Sequence, residues 1–135
     1  MGLEVKQAEA WVKKHILKLR RQYGLAHWKI HLYYERDTAN KAAGLCKADT
    51  RYEHAAITMN MARIETLTEF ENVLRHEFLH LVHSPFQMYR VAVCQALEQL
   101  PMMDTTMAAL DSIYADSCEL TVRNLERMDA ELRNA

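Results

Sequence analysis

The stretch from Thr68 to Pro85 constrains this chain more than any other. It reads Thr-Glu-Phe-Glu-Asn-Val-Leu-Arg-His-Glu-Phe-Leu-His-Leu-Val-His-Ser-Pro and contains His-Glu-x-x-His at positions 76, 77 and 80. On a helix, residues i and i+4 stand one above the other. The imidazoles of His76 and His80 can then reach one metal ion, while Glu77 lies about 100° further round. The local signals favour a helix over residues 69–83. Thr68 and Glu71 form a Thr-x-x-Glu capping box ahead of an apolar run, and Pro85 disfavours helix at Ser84. Phe70, Leu74, Phe78 and Leu81 share one arc, for a core. Val73, His76 and His80 share a neighbouring arc, toward a cleft.

The chemistry follows from the residue types. Zinc held by two His and an acid keeps one position open for water, whose pKa falls to about 7. A carboxylate beside it accepts the proton as the water attacks a carbonyl. The competing reading is two structural histidines flanking a solvated glutamate, because a motif with three fixed letters also arises by chance.

The rest of the chain reads as one domain, residues 1–135. Half of the residues are hydrophobic, enough for a core. The formal net charge is −1 with the two signs mixed throughout, so no electrostatic footprint for nucleic acid is present. No apolar run approaches the roughly 18 residues of a membrane span. Residues 1–14 lack the apolar centre of a signal peptide. Cys46, Cys94 and Cys118 are odd in number and lack Cys-x-x-Cys spacing, which points to free thiols and a cytoplasmic location.

In order, residues 4–23 have helical periodicity through Val5, Ala8, Val12, Ile16, Leu19 and Tyr23, with Gly24 suited to the left-handed position beyond the end. Residues 27–35 alternate as a half-buried strand. Residues 43–49 and 55–60 form two further strands, joined as a hairpin through residues 50–54. Beyond Pro85, residues 86–99 read as a connecting helix with Phe86, Tyr89, Val93, Leu97 and Leu100 inward, stopped by Pro101. A last helix spans about 105–132, with Ala108, Asp111, Ala115, Cys118, Val122 and Leu125 in one stripe and Glu119 at its margin. The expected fold class is α+β, with helices packed on a small three-stranded sheet.

A third protein ligand is needed, and four residues are candidates. Glu119 stands at the edge of an apolar face, where a carboxylate is costly to bury without a partner. Asp111 lies nearer the stripe centre, and Asp116 points further away. His83 completes His-x-x-x-His-x-x-His, but at i+7 on a straight helix it sits about 10 Å along the axis from His76. It reads better as a rim residue or a helix-end cation. For an oxyanion stabiliser the candidates are Tyr114, Tyr89 and His83.

His76-Glu77-Phe78-Leu79-His80 followed by Cys118-Glu119-Leu120-Thr121-Val122-Arg123-Asn124-Leu125 resembles the small stand-alone zinc metallopeptidases of the gluzincin type. These are the minigluzincins and the metallopeptidases encoded by phages and prophages. The resemblance extends over most of the chain in element order and implies a minimal zincin-like fold. It implies that His76, His80 and Glu119 bind Zn2+, and that Glu77 is general base and acid in peptide-bond hydrolysis. It further implies that the strand running into Asn60 borders the cleft and pairs with a peptide or protein substrate bound as an extended strand. Two positions depart from the family pattern. Arg75 precedes the first His where an uncharged residue is usual. Arg123 stands where many gluzincins carry an acid that orients a ligand His, a role left to Asp111 or Asp116. Two alternatives remain. One is a zinc-binding interaction protein without turnover, a vestigial or latent peptidase. The other is a deformylase-like hydrolase with Cys46 as ligand, although such a site needs a glycine-rich segment and this chain has three Gly.

Overall fold

A computed structural model describes residues 2–86, 92, 93, 95, 96 and 104–134. It is α+β, with three helices and a three-stranded mixed sheet among the described residues. The helices are α1 (Val5–Gln22), α2 (Leu67–His83) and α3 (Asp104–Arg133). The strands are β1 (Lys29–Glu35), β2 (Gly44–Asp49) and β3 (His54–Asn60). No helix is long and apolar enough to cross a membrane among the described residues. The chain divides into two compact units, Met1–Val82 and His83–Ala135.

In the first unit the periodic segments become elements within a residue or two of their expected limits. At the end of α1, Gly24 takes φ 69° and the Leu25 amide donates to the Arg20 carbonyl at 2.8 Å, closing the helix with a six-to-one bond. The Arg20 guanidinium also donates to the carbonyls of Leu25, Ala26 and Trp28, which fixes the turn into β1. β2 and β3 form the expected antiparallel hairpin, while β1 pairs parallel to β3. The order is therefore β1-β3-β2, with β3 in the middle.

That order corrects one expectation. The strand running into Asn60 is hydrogen-bonded along both sides, so it has no free edge for a peptide. The parallel β1–β3 pairing is the reason, since it sends the chain past the sheet and back to place β2 outside. The crossing loop is tied down by Asn60, which is 1% exposed. Its side-chain oxygen accepts from the amides of Asp37 (3.0 Å) and Ala62 (3.2 Å), and its nitrogen donates to the carbonyls of Asp37 (3.0 Å) and Ala42 (3.1 Å). Arg63 clasps the same loop through the carbonyls of Asn40 and Thr38.

The core fills the space between the inner sheet face and the two helices. Ile57 and Met59 of β3 are fully buried with Phe70, Leu74 and Phe78 of α2, and Ala8 and Leu19 of α1 join them. Phe70 is the hub: its ring lies edge to face with Trp11 and stacked with Tyr34, at centroid distances of 5.8 and 6.3 Å.

α2 begins one cap earlier than the sequence pattern indicates. Thr66-Leu67-Thr68-Glu69 and Thr68-Glu69-Phe70-Glu71 overlap as capping boxes, and the first is used. The Thr66 hydroxyl accepts from the Glu69 amide at 3.2 Å, and Glu69 accepts from the amides of Glu65 (2.7 Å) and Thr66 (3.3 Å). Glu71 is thereby left to pair with Arg75.

The second unit contains α3. Cys118 and Val122 are buried, Asp111 and Leu125 are half-buried, and Ala108 and Ala115 are exposed, so the expected stripe is realised along its C-terminal half. Ser84 forms a turn and Pro85 resumes helix, as proline can at a first helical position. Phe86 and Val93, expected inward, are exposed. Most of the expected connecting helix, with Tyr89, Leu97, Cys94 and Pro101, lies outside the described residues.

Candidate metal centre

The site starts from α2. Its core arc (Phe70, Leu74, Phe78 and Leu81) is buried as the pattern requires, and that fixes where the other arcs point. His76 and His80 are both half-buried, and their rings meet edge to face with centroids 4.9 Å apart. Their Nε2 atoms lie 3.2 Å apart. Two nitrogens bonded to one tetrahedral metal ion at about 2.0–2.1 Å are separated by roughly 3.3–3.4 Å, so the spacing of the pair is compatible with one shared ion.

His76, His80 and Glu119 each offer a ligand atom. A His-His-Glu group of this kind could hold a metal ion. Cys46, His83, Asp111 and Asp116 do not belong to it. His83 Nε2 instead lies 3.2 Å from the Cys118 Sγ, and its ring stacks on Phe86 at 5.0 Å. Asp116 and Arg123 are exposed. The Tyr114 hydroxyl is buried, and Tyr89 lies outside the described residues.

Glu77 is 5% exposed and faces the start of β2. Cys46, two residues along β2, has its thiol pushed up to about 12 by burial and by the nearby Glu77 carboxylate. β2 is an edge strand in this sheet, and its inward-facing residues Gly44 and Cys46 stand beside the acid of the motif. Neither role is visible in the sequence, although a lone Gly opening a strand does signal close backbone approach.

Arg75, the departure from the family pattern, is engaged elsewhere. It is 8% exposed and pairs with Glu71 Oε1 through Nε (2.9 Å) and Nη2 (2.8 Å). Its Nη1 donates to the Gln22 side chain (3.3 Å) and the Tyr23 hydroxyl (3.2 Å) at the end of α1. Burial alone would lower its pKa, but hydrogen bonds and charge from Tyr23 and Glu71 outweigh that and raise it. A charge at position 75 therefore belongs to the α1–α2 contact.

No family model, no curated protein and no solved structure matches the chain.

Proposed function

We propose that this chain is a small zinc metallopeptidase of the gluzincin type with a minimal zincin-like fold. His76, His80 and Glu119 hold the metal, and Glu77 serves as general base and acid. The observation that carries the reading is the convergence of the two Nε2 atoms at 3.2 Å on a helix whose other face is buried, with Glu119 as the candidate third ligand. A bound zinc would polarise the scissile carbonyl and acidify a water molecule. His76 and His80 would supply two ring nitrogens from one helical turn, and Glu119 would add a carboxylate oxygen. Glu77 accepts the proton of the attacking water and passes it to the leaving amine, and its burial excludes bulk water from that exchange. The substrate is a peptide or protein segment in extended form, and the outer edge of β2, which no strand among the described residues covers, is where such a segment would add to the sheet.

The test is elemental analysis followed by cleavage of a peptide library with and without chelator. Zinc is expected at one equivalent, with cleavage lost on chelation. Glu77→Gln keeps the zinc and loses about 10²–10⁴-fold in kcat, whereas His76→Ala loses the zinc. Absence of stoichiometric metal, or full turnover in Glu77→Gln, refutes the hydrolase. Zinc retained with no cleavage in the native protein selects the non-enzymatic interaction protein.

A further inference from the structure

Gly44 opens β2, and its backbone does not require glycine. The one glycine in the left-handed region among the described residues is Gly24. The requirement at position 44 is space. A Cβ there would lie 2.8 Å from Glu77 Oε1, 2.9 Å from Val73 Cγ1 and 3.1 Å from Glu77 Cγ. Separations below about 3.0 Å are not tolerated by carbon against carbon or oxygen, so something must move.

What moves can be decided from the surroundings. β2 cannot retreat easily, because the Asn60 amide donates to the Ala43 carbonyl at 2.8 Å and Asn60 and Arg63 hold the loop that leads into it. Val73 is β-branched on a helix and stiff at χ1. The Glu77 carboxylate is the end of a flexible side chain and yields first. A side chain at position 44 thus displaces the carboxylate, while the approach to Val73 Cγ1 is relieved only by a small shift of strand against helix.

We propose that Gly44 is a positioning residue for Glu77: the missing side chain lets edge strand β2 close on the carboxylate and hold it in one place. This rests on the hydrolase reading for its consequence in turnover, but not for its consequence in structure. A misplacement of about 1 Å at a reacting group can cost about 10²-fold.

The experiment is Gly44→Ala, made in the native and the Glu77→Gln backgrounds. In the native background zinc content is expected to be unchanged, thermal stability to shift by no more than about 3 °C, and kcat to fall roughly 10–100-fold with KM within about twofold. In the Glu77→Gln background the added substitution should lower kcat no further, because the group it acts through is gone. A crystal structure of Gly44→Ala should show the Glu77 carboxylate displaced from the β2 end. If Val73 makes Gly44→Ala unstable, Gly44→Ala with Val73→Ala removes that rigid contact and leaves only the contacts to Glu77. Native kcat in Gly44→Ala beside an inactive Glu77→Gln overturns the positioning role and leaves the hydrolase standing. An equal loss in both backgrounds, or a carboxylate unmoved in the crystal, also overturns it. If the native protein cleaves nothing, the hydrolase reading fails and the crystal structure alone decides the positioning role.

Discussion

Arg75→Met should destabilise the fold although it adds a helix-compatible residue and keeps most of the stem volume. The substitution removes the Arg75 donors to Glu71, Gln22 and Tyr23, and a guanidinium whose carbon sits 5.9 Å from the Tyr23 ring centroid. A hydrogen bond with one charged partner contributes about 1.5–3 kcal/mol net. Breaking a fully buried pair by removing one partner costs about 3–5 kcal/mol. The Glu71 side chain is 30% exposed, so water repairs part of its loss and the lower range applies. The expected cost is about 2–3 kcal/mol, which for a chain of this size lowers Tm by roughly 10 °C. Thermal and urea denaturation of Arg75→Met, Glu71→Gln and the double variant measure both the cost and the coupling, expected at about 1–2 kcal/mol. A Tm change below about 3 °C would show that Arg75 is an ordinary surface charge, and its engagement with α1 would then not explain why the position before the first His is charged.

Two further outcomes follow from α2 and β2. Thr66→Ala should cost about 1 kcal/mol as a lost N-cap, while Thr68→Ala, which belongs to the unused overlapping box, should stay within about 0.5 kcal/mol; chemical denaturation of both separates the two registers. The Cys46 thiol is raised from 9.0 to about 12 in the folded protein, so it stays protonated in the native state while the unfolded chain ionises. Its stabilising contribution is complete below pH 9 and is lost as pH rises through about 12. The difference in stability between native protein and Cys46→Ala should therefore shrink over that alkaline window, as read by denaturation midpoints against pH.

Elements whose identity is local were legible in the residues. Periodicity located α1, α2 and α3, alternation located β1, and the position of Gly24 marked the end of α1. The spacing of His76 and His80 fixed their convergence once α2 was helical. What escaped was long-range. The parallel β1–β3 pairing depends on a loop held by Asn60, whose five side-chain hydrogen bonds join residues up to 23 positions apart. No pattern in a single sequence reports such a pairing, so the central place of β3 is not legible in its residues. The capping register failed for a different reason. Two boxes overlap, and only the partner available to Glu71, an arginine four residues on, decides between them. Gly44 carried a signal, but its meaning needed the atom it faces.

Residues 75, 76 and 77 show how one helix serves three ends at once. Successive side chains diverge by about 100°, so three neighbours in sequence point to three different surroundings. Arg75 reaches the end of α1, His76 meets His80 on the metal arc, and Glu77 faces the start of β2. Phe70, Leu74, Phe78 and Leu81 take the remaining arc into the core. The rotation of α2 about its axis is therefore held on two flanks, by the Arg75 hydrogen bonds to Gln22 and Tyr23 on one side and a close steric contact on the other. A turn of the helix by about 20° would carry a side chain some 6 Å from the axis through roughly 2 Å, enough to break the Arg75 contacts or drive Glu77 into Gly44. The imidazole pair lies between those two stops, so its placement is set by residues on either side of it. This predicts an asymmetry: loosening the Arg75 side lets the whole helix turn and disturbs zinc affinity and stability together, whereas altering Gly44 moves a single carboxylate and leaves both in place.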